Sequence, residues 1–229
     1  MRKLTSVATT ERSSSASAGS SAGLIARGIT KSYHRGIWPH RREVPVLRGA
    51  DLTVGAGEVI GLVGENGSGK STLMKILVGA LEADAGTVEI SGRIGYCPQE
   101  PVLYERLTCD EHLELFGVAY GMDDQPVKGA ADALYATLGF DRWRKSQVAD
   151  LSGGTRAKLN LAIALLADPE VLLLDEPYAG FDWDTYLRFW DLTAERRASG
   201  RSVVVISHFV ADQERFDHIV QLRDGRTMQ

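Results

Sequence analysis

Cysteine is nearly absent from this chain. The two present, Cys97 and Cys109, are too few for a disulfide framework. They fit small core or half-buried residues of a reducing compartment. Long apolar runs are missing too. None approaches the ~18 residues of a membrane span, and VLLL at 171–174 and VVVI at 203–206 are strand-sized. Work at a membrane is therefore expected to use another chain. A basic excess is lacking: 26 Lys and Arg stand against 30 Asp and Glu, a formal net charge of −4. That argues against nucleic acid as a partner, since such a grip needs a basic face. No internal repeat is visible. What is there is 229 residues, enough to bury a core and to form one large domain with subdomains.

Residues 1–22 are rich in Ser, Ala and Thr and are expected to be a disordered tail. Arg2 and Lys3 precede no apolar core, so a secretory signal is not expected; few acids and many serines leave a transit peptide as the alternative. Strands are expected at 24–29 and 46–54, with Tyr33 in the loop between them and an exposed loop over 34–43. Short strands follow at 86–90 and 93–97. From 101 to 150 the composition turns helical, and Thr108-Cys109-Asp110-Glu111 is a capping-box pattern. Helices are expected at 127–138, 156–166 and 185–199, strands at 171–175 and 202–207, and a final hairpin around Asp224-Gly225. The basic cluster Arg142, Arg144 and Lys145 around Trp143 reads as a solvated helix face. Strands alternating with helices imply a mainly parallel α/β sheet.

The densest chemistry lies at residues 58–78, EVIGLVGENGSGKSTLMKILV. A short buried strand is followed by Gly64, Glu65, Asn66, Gly67, Ser68, Gly69, Lys70 and Ser71, which fit the P-loop pattern, and then by a helix opening at Thr72. A nucleoside triphosphate packs several negative charges together. Glycines let successive backbone N–H groups turn inward around phosphate oxygens. The helix adds the positive end of its dipole. Lys70 supplies a point charge near the β- and γ-phosphates, and the Ser71 hydroxyl can ligate Mg²⁺. A chance match in a chain this long is on the order of one in a hundred at ordinary glycine usage.

Further along, Leu172 to Asp175 is a buried strand ending in an acid, and Glu176 and Pro177 follow. Asp175 at a strand end can hold Mg²⁺ through its water shell, and Glu176 can polarise an attacking water. Leu151-Ser152-Gly153-Gly154 sits just before a helix and so makes a second anion-binding turn. His208 follows the strand VVVIS and can hydrogen-bond a terminal phosphate; a purely structural His is the alternative. Tyr33 can stack on a base.

Taken in order, these motifs resemble the nucleotide-binding subunits of ATP-binding cassette (ABC) transporters, over about residues 23–229. Leu151 to Gly154 is similar to the ABC signature, 172–177 to a Walker B strand, Gln99 to the Q-loop, Asp182 to the D-loop and His208 to the H-loop, with Tyr33 placed like the A-loop aromatic. The resemblance implies a P-loop NTPase with a mainly parallel core sheet, an antiparallel β-subdomain and a helical subdomain at about 101–165. It implies ATP and Mg²⁺ as cofactors. Glu176, His208 and Gln99 would be catalytic, and Ser71, Gln99 and Asp175 would serve the metal. Residues 64–72, Tyr33, Ser152, Gly153, Gly154 and Asp182 would contact nucleotide. It further implies a head-to-tail dimer with a second ATPase subunit and a separate transmembrane permease docked on the helical block. That places the chain at the cytoplasmic face of the cell membrane. The segment 103–108 with Tyr120-Gly121 is most similar to exporter-type branches. The rival reading is a soluble ABC ATPase of translation, repair or cluster assembly. Thr155, Tyr178, Ala179 and Trp183 depart from the family pattern. A Gln at 155 would reach across the dimer, whereas the Thr hydroxyl is expected to bond locally to backbone.

Overall fold

The computed structural model of the chain describes residues 22–36, 42–207 and 210–228. The expected tail lies outside them, apart from Ala22. Two sheets form the frame. The first is antiparallel, in the order β2 (Arg42–Gly55), β1 (Ala22–Arg35), β4 (Ala85–Ile90). The second has the order β5 (Ile94–Cys97), β6 (Val171–Asp175), β7 (Ser202–Ile206), β3 (Val59–Val63), β8 (His218–Arg223), β9 (Arg226–Met228). Its first five strands are parallel and only β9 is antiparallel. The mainly parallel α/β reading and its antiparallel companion are borne out. Ser91 and Gly92 do more than break a strand: β4 and β5 on either side of them belong to different sheets.

The central strands β6 and β7 are buried along their whole length, as continuous apolar runs demand when both faces are covered. Alternate residues serve two cores. Leu172, Leu174, Val203 and Val205 pack with α3 (Asp124–Leu138), α4 (Gly153–Leu165) and α5 (Trp183–Ala198). Val171, Leu173, Val204 and Ile206 pack with α1 (Lys70–Leu77) and the antiparallel sheet. α2 (Cys109–Ala119) starts at the expected capping box, in which Thr108 accepts from the Glu111 amide at 3.2 Å and Glu111 accepts from the Thr108 amide at 2.7 Å. No helix among the described residues is long and apolar enough to cross a membrane.

Two local expectations are corrected. Tyr33 does not lie in a loop. β1 and β2 pair as far as Arg35 and Arg42, and Tyr33 sits opposite Val44. From Thr30 to Ser32 the side chains are polar and half-buried, and those of Tyr33 and His34 are exposed, so backbone pairing extends the hairpin where hydrophobic alternation has ended. Trp38, Pro39, His40 and Arg41 lie outside the described residues. The basic cluster is not one solvated helix face either. Arg144 pairs with Asp110, Asp132 and Asp141 and lies 4.6 Å over the Tyr135 ring, tying α2 to α3. Arg142 covers Trp143.

Candidate functional site

Parallel pairing decides where the chemistry collects. Leu62 of β3 is level with Ile206 of β7, Ile206 with Asp175 of β6, and Leu174 with Cys97 of β5. The loops after β3, β5 and β6 therefore leave the same edge of one sheet, the edge at which ligands bind in open α/β folds. Those loops carry residues 64–69, Gln99 and Glu176. Together they border a cavity of about 610 Å³, lined by Tyr33, Val46, Asn66, Gly67, Gly69, Lys70, Ser71, Thr72, Gln99 and Glu176.

The glycine loop has the shape its residues allow. A Cβ on Gly64 would stand 2.3 Å from the Leu222 carbonyl oxygen, so no larger residue fits. Gly69 caps α1 at φ 107°, a left-handed conformation that glycine adopts without strain. Lys70 begins the helix, is buried, and donates to the carbonyls of Gly64 at 2.8 Å and Glu65 at 3.1 Å. Burial pulls its pKa down, against the opposing charges of Glu176 and Asp175. The Ser68 hydroxyl is buried beneath the loop on the Gly64 side, away from the cavity.

Asp175 is only 2% exposed. Burial raises its carboxyl above the ordinary range, a hydrogen bond from Ser71 works against that rise, and the charge of Glu176 adds to it. Ser71 and Asp175 thus bring a hydroxyl and a carboxylate together. No cluster of three or more His, Cys, Asp or Glu able to hold a metal occurs among the described residues. A single hydroxyl and carboxylate suit Mg²⁺, which keeps waters and phosphate oxygens for its other positions. Glu176 has φ 51°, a strained conformation for a side chain that is not glycine. Its N–H donates to Ile206 at 3.2 Å, which holds the sharp turn after β6.

The signature turn lies elsewhere. Ser152 caps α4, accepting from the Thr155 amide at 3.3 Å and meeting the Thr155 hydroxyl at 3.0 Å. Thr155 is buried, and its hydroxyl bonds a side chain rather than backbone. Ser152 and Gly153 are exposed and do not line the cavity. A Cβ on Gly154 would approach the Gly180 carbonyl to 2.5 Å, so the turn presses against the loop that leads to Asp182. Asp182 caps α5 through Thr185 at 2.8 and 2.7 Å and faces Lys158 at 3.6 Å. It too lies away from the cavity. His208 lies outside the described residues.

Three contributors escaped the sequence reading. Val46 lines the cavity. Tyr178 donates its hydroxyl to Ser207 at 2.6 Å, linking the loops after β6 and β7, and packs among Tyr186, Phe189 and Trp190. Asn160, a lone amide inside an apolar helix segment, bonds the loop that carries Gln99; its signal was a polar residue between Leu159 and Leu161.

A glycine loop at the head of a parallel sheet, joined by an antiparallel sheet and a set of helices, defines the ATPase cassette class. A family model described as ABC transporter matches residues 47–179, and the chain belongs to that family. It is 34% identical over 194 residues to the Nod factor export ATP-binding protein I of Burkholderia lata, covering 79% of this chain and 64% of that protein. It is 31% identical over 215 residues to the ABC-type transporter ATP-binding protein EcsA of Bacillus subtilis, covering 88% and 84%. Against a solved ATP-binding subunit of an ABC transporter the TM-score is 0.79 at 27% identity, over 90% of this chain and 88% of that one. A dimeric cassette bound to ADP and Pi has the same fold, with a TM-score of 0.81 at 24% identity over 90% and 97%.

Proposed function

We propose that the chain binds Mg²⁺-ATP at the cavity above β3 and hydrolyses it to drive a separate membrane permease. The observation that carries this is the meeting of Lys70, Ser71, Gln99 and Glu176 around one cavity, although they come from the start of α1 and two loops distant in sequence. Residues 64–72 wrap the phosphates, and Tyr33 stacks on the base. Lys70 holds the terminal phosphates. Ser71, Asp175 and Gln99 would hold the metal, and Mg²⁺ would supply neutralisation of charge on the phosphate oxygens. Glu176 accepts the proton of the attacking water, Gln99 orients that water, and His208 bonds the terminal phosphate.

Ser152 and Gly153 are exposed on this chain and Gly154 is half-buried behind them, which suits a signature turn, with Asp182 near it, that serves the cavity of a second copy, head to tail. The block at about 101–165 is the docking surface for the permease; Val102 at 76% and Val118 at 69% exposure supply apolar contact there. The chain then works at the cytoplasmic face of a membrane through that partner. Relatives named for export favour the exporter direction.

The test is phosphate release by the purified protein. Glu176→Gln keeps the shape and removes the base. Turnover is expected to fall about 10²–10⁴-fold while ATP still binds. Near-parental turnover in this variant would remove Glu176 from the role. Co-purification with a membrane protein checks the permease.

A further inference from the structure

Asn160 is 8% exposed on α4, eight residues past Ser152. Its side-chain amide donates to the Pro98 carbonyl at 2.8 Å and to Cys97 Sγ at 3.1 Å. The orientation is not arbitrary: the Pro98 carbonyl can only accept, so the NH₂ end must face it. The helix lies directly on β5 at this place. One turn further along, a Cβ on Gly95 would stand 2.3 Å from the Ala164 carbonyl oxygen. Positions 160 and 164 of α4 therefore meet positions 95 and 97 of β5, the i, i+4 ridge of a helix on one face of a strand.

The Pro98 carbonyl and the Gln99 N–H belong to one planar peptide unit. A bond that fixes the carbonyl also fixes the direction in which the chain enters Gln99, whose side chain borders the cavity. Cys97, by contrast, is the last residue of β5 and is already held by its ladder to Leu174. Its buried thiol, whose pKa burial pushes far up, is a neutral acceptor and nothing more.

We propose that Asn160 is a positioning residue for Gln99: the helix that presents the signature turn also pins the peptide that aims this glutamine into the nucleotide cavity. This rests on the reading of the cavity as an ATPase site.

The experiment is a double-mutant cycle of Asn160→Ala and Gln99→Ala, measured by steady-state phosphate release, with Cys97→Ala alongside. Asn160→Ala is expected to lower kcat about tenfold, the scale of one half-buried carbonyl left unpaired, with KM for ATP within about twofold. In the Gln99→Ala background the same change is expected to have no further effect on kcat. Cys97→Ala is expected to leave kcat unchanged. A kcat loss of equal size in both backgrounds, or none in either, overturns the proposal. If Asn160→Ala does not fold, Asn160→Ser, too short to reach Pro98, takes its place; if neither folds, Asn160 serves folding and the proposal falls. The bond itself is read without nucleotide from the NMR shift of the Gln99 backbone amide. That shift is expected to move in Asn160→Ala and to stay in Cys97→Ala, and an unmoved shift overturns the proposal even in a protein with no ATPase activity.

Discussion

Lys70 serves two groups of partners at once. Its ammonium donates to the Gly64 and Glu65 carbonyls, bracing the loop from within, and Glu176 and Asp175 offset its burial electrostatically. A bound triphosphate would draw on the same charge. Lys70→Ala therefore removes both the brace and the cation. One charge-assisted contact is worth roughly 1.5–3 kcal/mol, so ATP affinity is expected to drop about ten- to a hundredfold, measured by calorimetry with Mg²⁺ present. Unchanged affinity would remove the glycine loop from the nucleotide site. At Gly64 the constraint is purely steric, because the Leu222 carbonyl occupies the place of a side chain.

At the scale of elements, helix starts do much of the positioning. Asp182 ends the loop from Glu176 and caps α5 with one carboxylate oxygen shared by the Thr185 amide and hydroxyl. Asp182→Ala is expected to cost about 1 kcal/mol, a fall in Tm of about 2–4 °C for a chain of this size, read on nucleotide-free protein. The long 3.6 Å pair with Lys158, in which the Asp182 carboxylate is exposed, adds little to that. The Thr185 hydrogen bonds, and then Lys158, hold the Asp182 carboxyl below its ordinary 3.8. A depressed carboxyl pKa stabilises the fold above the unfolded value and ceases to do so as pH falls through the folded one. The gap between parent and Asp182→Ala is thus expected to be constant from neutral pH to about pH 5 and to close only in stronger acid, below the ordinary aspartate range. A gap that closes between pH 7 and 5 would point to a different titrating group. Thr155 is buried and bonded to Ser152, so a longer Gln at that position would have to displace its neighbours or turn outward past Ser152.

Over the whole molecule, one set of candidate residues lines the cavity and another stands apart from it. Ser152 and Gly153 are exposed, and the cavity is bordered by Lys70 and Glu176. A head-to-tail pair makes a specific demand on mixtures. Ser152→Arg and Lys70→Ala should each be inactive alone, the first through bulk and misdirected charge in the signature turn. Mixed, they can form one sound site from the glycine loop of the Ser152→Arg chain and the signature of the Lys70→Ala chain. Partial recovery of phosphate release on mixing is the expected result. A mixture as inactive as its components, in protein shown by light scattering to dimerise with ATP, would rule out a signature that acts in trans.

The sequence by itself determined the local chemistry. Residues 64–72 read as strand end, glycine loop and helix start because backbone shape and charge there depend on neighbours in the chain, and the capping box at Thr108 and Glu111 and the turn at Asp224-Gly225 are local for the same reason. The two-sheet class also followed from the sequence, through the resemblance carried by its ordered motifs. What only the tertiary structure decided is adjacency. The order β5-β6-β7-β3 joins strands far apart in sequence, and no periodicity states that Gln99, Glu176 and Lys70 share one cavity. Tyr33 was misplaced because its strand continues by backbone pairing past the end of hydrophobic alternation. In the sequence Arg144 reads as a surface cation, and Asn160 is not singled out at all. Their partners, three aspartates from α2, α3 and the turn after it in one case and a proline carbonyl at the end of β5 in the other, exist only once the helices have packed.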